Sequence, residues 1–139
     1  MKGFTILELL LSVAMIAVLA AASVPLYSIY RSRGSVDSSS SIAVNSLRSA
    51  IIFSTSGKAN SQWGVHFEKG KITIFKGDSF SSRDISYDKV VTLEDDVTFS
   101  GINDVYFNNK GLPSQTGLVT VSYGQDSRDI SIGQSMIDY

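Results

Sequence analysis

Met1-Lys2-Gly3-Phe4-Thr5-Ile6-Leu7-Glu8-Leu9-Leu10 opens a stretch, running to Pro25, whose reading decides the fold. From Phe4 to Val24 every residue is apolar except Thr5, Glu8, Ser12 and Ser23. At about 1.5 Å per helical residue these positions span roughly 30 Å, the hydrocarbon thickness of a bilayer. A helix of that length closes its backbone hydrogen bonds internally, as lipid requires. Glu8 is the anomaly. A carboxylate inside a span is unfavourable; insertion scales give about 2.5–3.5 kcal/mol for Asp, Lys or Arg at the helix centre and less near an end. No other residue of the span can neutralise it, so its partner is expected from outside the chain.

Gly3-Phe4-Thr5-Ile6-Leu7-Glu8-Leu9-Leu10 resembles the cleavage and methylation signature of type IV pilins and of the pseudopilins of type II secretion. The shared pattern is a short basic leader ending in Gly, then Phe, an acid four residues later, and an apolar helix. The resemblance implies cleavage between Gly3 and Phe4 by a prepilin peptidase, and N-methylation of Phe4. It also implies that Glu8 pairs with the amino terminus of a neighbouring subunit and that Pro25 is a helix-kinking proline. Other readings of the stretch are a secretory signal peptide, with Ile6–Leu19 as its apolar region and Ala20-Ala21-Ala22 before the cut, a plain signal anchor, or a buried helix of a soluble protein. The first leaves Glu8 unexplained, and the second leaves Gly3-Phe4 and Glu8 unexplained. Lys2 precedes the span while Arg31 and Arg33 follow it, so orientation comes from the resemblance and not from a charge count.

The chain has 139 residues, enough for this helix and one domain. It contains no cysteine, which excludes a disulfide framework, a lipid-modified cysteine anchor and a thiol nucleophile. From Gly57 onward eight Lys/Arg stand against eleven Asp/Glu. No basic stripe exists there, so strong nucleic-acid binding is not expected.

Beyond Pro25, Tyr27 and Tyr30 suit a membrane–water boundary or packing against neighbouring helices, and Arg31 and Arg33 can reach headgroups. Gly34-Ser35-Val36-Asp37-Ser38-Ser39-Ser40-Ser41 reads in isolation as a flexible linker. An apolar stripe nevertheless recurs at Val36, Ala43, Val44, Leu47, Ala50 and Ile51, near helical spacing. One helix is therefore expected from about Phe4 to Ser56, soft at Gly34–Ser41, with Gly57 ending it. The stripe should pack on the C-terminal part of the chain.

After Gly57 the period changes to two. Trp63–Phe67 and Lys71–Phe75 flank Glu68-Lys69-Gly70 as a hairpin, and further strands fit Val90–Leu93, Val97–Ser100, Val105–Phe107, Leu118–Tyr123 and Asp129–Ile132. Ser81–Asp88 reads as loop. The fold class expected is α+β, a pilin-like arrangement in which a long N-terminal helix lies across a C-terminal antiparallel sheet. The divisions are 1–3 leader, 4–30 transmembrane and assembly helix, 31–56 amphipathic continuation, and 57–139 β-rich head. Val105-Tyr106-Phe107-Asn108-Asn109-Lys110-Gly111, Gly117–Val121 and Arg128-Asp129-Ile130-Ser131-Ile132 resemble the head of the H-type minor pseudopilin and its T-type fimbrial relatives, as does Trp63-Gly64-Val65. The family's apolar ending is replaced here by Gln134–Tyr139.

Reactive constellations are absent from the sequence. His66 is the only histidine and falls in a strand. No G-x-S-x-G elbow and no phosphate loop occurs. Glu94-Asp95-Asp96 reads as a solvated turn, with calcium binding as the alternative that resemblance to the major pseudopilins would imply. Asp126, Arg128 and Asp129 read as a turn. The expectation is thus a non-enzymatic filament subunit with no catalytic residue, metal or cofactor. Its partners would be other pilin or pseudopilin subunits, a prepilin peptidase and an inner-membrane assembly platform. The head would be exported from a single cytoplasmic (inner) membrane span into the periplasm or a cell-surface filament. The specific reading is a minor pseudopilin. Alternatives are an adhesive, motility or DNA-uptake type IV pilin, and a monomeric membrane-anchored binding module.

Overall fold

Thr5 begins the first helix. A computed structural model describes the backbone of residues 4–134 and 137–138, and the side chains of these except 22–26, 28 and 137–138. Thr5 is extended (φ −79°, ψ 152°) and its hydroxyl accepts the Glu8 amide at 3.2 Å, satisfying one of the free donors of the first turn. From there α1 runs from Ile6 to Thr55, and it is helical through Pro25. Ser56 closes the helix by donating its amide to Ile52, and Gly57 follows in the left-handed region (φ 65°) that a side chain disfavours. The expected helix thus agrees to within two residues at its start and one at its end.

The serine-rich segment is helical, as the apolar stripe running through it implied and against the local preference of its residues. Gly34–Ser41 is continuous helix, and Ser35, Val36, Ser39 and Ser40 are buried against the strands. Small side chains let the helix axis approach the sheets closely where a larger residue would hold it off. Several serines satisfy their hydroxyls without leaving the helix: exposed Ser41, half-buried Ser49 and buried Ser46 each donate to the carbonyl four residues back.

The strands are β1 Trp63–Glu68, β2 Lys71–Lys76, β3 Lys89–Thr92, β4 Thr98–Gly101, β5 Asp104–Phe107, β6 Gly117–Tyr123, β7 Asp126–Ile132 and β8 Ile137–Asp138. The β1–β2 hairpin pairs Glu68 with Lys71 across a two-residue turn, one residue tighter than the sequence reading, with Gly70 at φ 70°. A short 3-10 turn at Ile85–Tyr87 interrupts the loop expected over Ser81–Asp88.

The expectation of one sheet is also corrected. Two four-stranded antiparallel sheets form, in the orders β3-β2-β1-β5 and β4-β6-β7-β8. The chain crosses between them after β3, where Val97 is fully buried, and β4 pairs with β6 instead of returning to β3. Both sheets turn one face to the same helix. Val65, Phe67, Ile72, Ile74, Val105 and Phe107 of the first sheet meet Val119, Val121, Ile130 and Ile132 of the second around Ala43, Val44, Leu47 and Ala50 of α1. A single core therefore spans helix and both sheets. Its stripe is the one the sequence spacing marks.

The outer face of the first sheet is not bare either. Phe75 points away from α1 yet is fully buried, with Phe80 of the β2–β3 connection 5.6 Å away edge-on. Phe80 also stacks on His66 at 3.7 Å between centroids, and the Arg83 guanidinium lies 3.8 Å from the Phe80 ring while its Nε donates to Asp88 at 2.8 Å. The 77–88 connection is thereby fastened over the strand that carries His66.

Candidate assembly surface on the N-terminal helix

From Phe4 to Ala21 every residue of the chain is exposed. Phe4, Ile6, Leu7, Leu9, Leu10, Leu11, Val13, Met15, Ile16, Val18 and Leu19 are all more than half exposed, so the apolar surface runs right round the helix. Such a surface is stable only when lipid or other helices cover it. Its polar side chains are nearly all satisfied within the helix: Thr5 caps it, and Ser12 Oγ donates to the Glu8 carbonyl at 2.8 Å. The Glu8 carboxylate accepts no hydrogen bond and forms no ion pair among the described residues. Its position gives it one structural role that the sequence reading missed. Thr5-Ile6-Leu7-Glu8 has the spacing of a capping box, of which the Thr5 half forms, and an acid in the first turn complements the positive end of the helix dipole.

Among the described residues no helix is long and apolar enough to cross a membrane. The described side chains of the apolar run stop at residue 21, and 22–26 are not described. The cleavage position Gly3 and the leader 1–3 lie outside the described residues, as does most of the Gln134–Tyr139 ending. Phe4 is described, adjacent to the cap, and exposed.

The head grips the helix where the apolar half ends. Arg31 Nη2 lies 3.4 Å from Glu94 Oε2 of the β3–β4 turn. On the other side Ser32 Oγ donates to the Tyr123 carbonyl at 3.1 Å and to the Asp126 carboxylate at the β6–β7 turn. Arg128 then reaches Asp37 at 2.8 Å. Exposed pairs like Arg31–Glu94 contribute little singly. Together with the buried serines, however, they set one orientation of head on helix. Asp126 and Arg128, read from sequence as a turn, are part of this clamp, while Asp129 accepts from Thr120 at 2.6 Å. The sequence carried no signal for it, because the partners are 63 and 94 residues apart.

The other candidate residues sort plainly. Glu94-Asp95-Asp96 is an exposed turn, and no group of three His, Asp or Glu among the described residues could hold a metal ion. Trp63 is a core residue whose Nε1 donates to the Lys58 carbonyl at 2.9 Å.

His66 sits in β1 with its Nδ1 buried and unpartnered. Burial pushes its imidazole below the ordinary 6.5; Asp104 and Glu68 pull it up, and Arg83 and Lys71 push it further down. The unfolded chain therefore binds the proton first, and stability falls as pH drops below 6.5 until the folded value is passed. Urea unfolding of a chain from Ile29 onward should show lower stability at pH 5.5 than at pH 7.5, and His66→Gln should flatten that difference. Equal wild-type stability at both pH values would contradict the burial of a neutral imidazole.

The chain matches no family model, no curated protein and no solved structure. The likeness of Gly3–Leu10 to the prepilin signature rests on those residues alone.

Proposed function

We propose that the chain is a type IV pilin-like subunit of the minor pseudopilin kind, anchored in the cytoplasmic membrane and assembled into a filament through the first half of α1. The observation that carries this reading is an exposed helical run from Phe4 to Ala21, apolar on all sides and interrupted by one carboxylate that has no partner among the described residues. In the sequence the apolar run continues from residue 21 to Val24, which restores the length of a bilayer span. A soluble monomer would leave this surface in water. A plain anchor would need neither Glu8 nor the Gly3-Phe4 junction.

Cleavage between Gly3 and Phe4 would create a new amine beside the cap, and methylation keeps it protonated at neutral pH. A neighbour displaced along the axis brings that amine to Glu8 in a medium of low dielectric, where a charge pair is far stronger than in water. The second half of α1 and the clamp at Arg31, Ser32 and Asp37 then carry the head outside the packed helices. The resemblance of the strands around Phe107, Val119 and Ile130 to the H-type head supports the minor-subunit reading. On this reading the chain performs no catalysis, and its partners are the peptidase, the assembly platform and other subunits.

The test is incorporation of Glu8 variants expressed beside the native assembly system. Leaving one member of a buried pair alone costs about 3–5 kcal/mol, so Glu8→Ala should lower recovery in sheared filaments at least about tenfold. Membrane insertion and processing should persist. Glu8→Gln keeps the length of the side chain but not its charge, so it should fail equally. Wild-type incorporation of Glu8→Gln would show that assembly does not use the charge of Glu8.

A further inference from the structure

The first sheet has two unlike edges. The β5 edge is closed by the chain itself: the Ser114 amide donates to the Tyr106 carbonyl at 2.8 Å, and Gln115 Nε2 donates to the Asp104 carbonyl at 2.6 Å. The β3 edge is open. The Leu93 amide donates to the Gly70 carbonyl at 2.8 Å, which sets the phase of the β2–β3 ladder. Lys89 and Val91 then turn their backbone groups to β2, while Val90 and Thr92 turn theirs outward. No described residue bonds those outward amides and carbonyls. Val90 and Thr92 are themselves exposed. An edge of this kind is a template for a further strand.

Its surroundings set the chemistry of that strand. On the helix side a groove of about 510 Å³ runs between α1 and β3, lined by Tyr30, Ser35, Ser38 and Ile42 of the helix and by Thr92 and Leu93. The serines leave room for incoming side chains, and Ile42 with Leu93 gives the groove an apolar patch. Lys89 also points to the helix side, opposite Ile74, and its Nζ lies 4.7 Å from the Phe53 ring centroid. Lys58 Nζ lies 3.9 Å from the same ring. Neither ammonium has an ion-pair partner among the described residues. A lysine on an edge strand disfavours the addition of purely apolar strands. It favours one that brings a carboxylate to it.

We infer that the β3 edge receives an extended segment of another protein, added as a strand to the first sheet. A carboxylate of that segment faces Lys89 and Lys58, and an apolar side chain on the same face enters the groove beside Val91. Backbone bonds to Val90 and Thr92 supply the attraction, and the charges fix the register. A second β3, paired antiparallel and overlapping along the strand, sets Val91 or Leu93 opposite Lys89 and brings no acid to it, so a second copy does not match. The edge belongs to the head, so the contact forms whether or not α1 assembles into a filament.

The probe is the peptide Thr-Ile-Thr-Ile-Thr-Glu-Thr, capped at both ends, titrated into the full-length chain in detergent micelles and followed by amide NMR. The Val90 and Thr92 amides should shift saturably and exchange with solvent at least about tenfold more slowly. Replacing the peptide glutamate by lysine should weaken binding about fivefold, and Lys89→Glu in the protein should reverse that preference. N-methylation of alternate peptide amides should abolish binding in one phase and preserve it in the other, because only one edge of the peptide bonds to β3. Val90→Pro removes one outward donor and none of the β2 ladder, so it should weaken binding without unfolding the head. An unchanged spectrum, shifts confined to groove side chains, or equal loss in both N-methylation phases would overturn strand addition. So would protection of Val90 and Thr92 without peptide accompanied by dimerisation in sedimentation, which would make a second copy the occupant.

Discussion

A fragment beginning at Gly57, with all the strands and none of α1, is expected to stay unfolded, whereas one beginning at Ile29 should fold as a monomer. Each sheet turns its apolar face to Ala43, Val44, Leu47 and Ala50, and without them Val65, Val105, Val119 and Ile130 would face water. About eighty residues of strands have little core of their own, and a domain of this size is stable by only about 5–15 kcal/mol. Within the Ile29 fragment, Leu47→Ala should cost about 2–5 kcal/mol, because Leu47 is fully buried where both sheets meet the helix and the cavity cannot collapse from either side. Circular dichroism with urea titration reads both. A cooperative transition in the Gly57 fragment would show that the sheets pack on each other and that the helix is merely attached. The Ile29 start keeps Arg31 and Ser32, which a start at Gly34 would remove from the clamp.

Gly64→Val should be nearly as damaging. Gly64 lies in β1, the strand flanked by β2 and β5, opposite Phe75 and Tyr106. A Cβ there would come within 2.8 Å of the Phe75 ring and 2.7 Å of the Val105 carbonyl oxygen. The ring fills the space a side chain would take, on the face that the 77–88 connection covers. Overpacking of this kind costs about 1–3 kcal/mol and more when backbone must move, so about 3 kcal/mol is expected. Phe75→Leu added to Gly64→Ala should recover part of the loss, since the ring can retreat and the Val105 carbonyl cannot. Strict additivity of the two substitutions in chemical denaturation would mean that the ring is not what Gly64 accommodates.

Local signals carried much of this architecture. The period-two runs placed seven strands within a few residues, Gly57 ended the helix as its position implied, and the stripe from Val36 to Ile51 named the face that is buried. What was not legible depended on distant partners. Gly34–Ser41 reads alone as a linker because serine and glycine are weak helix formers, yet the stripe that resumes at Val36 placed it in the helix. Its softness was not borne out: burial of Ser35, Val36, Ser39 and Ser40 overrides the local preference. The division into two sheets follows from β4 choosing β6 over β3, a pairing set by the buried Val97 and the backbone turn at Gly101 and not by any local motif. Two-residue β8 is too short to leave a pattern. The Thr5 cap was present in the sequence as a hydroxyl three residues before an acid. It was overshadowed by the stronger reading of Glu8 as an assembly residue.

The apolar run of α1, exposed from Phe4 to Ala21 in the isolated chain, needs a covering, and the proposed covering begins with a processing event. The amino terminus of the native protein, isolated from its own cell and measured by mass spectrometry, tests this directly. An assembly subunit should begin at Phe4 and carry one added methyl group on its amine. A chain beginning at Met1, or one beginning at Ser23 after signal-peptidase cleavage, would contradict it.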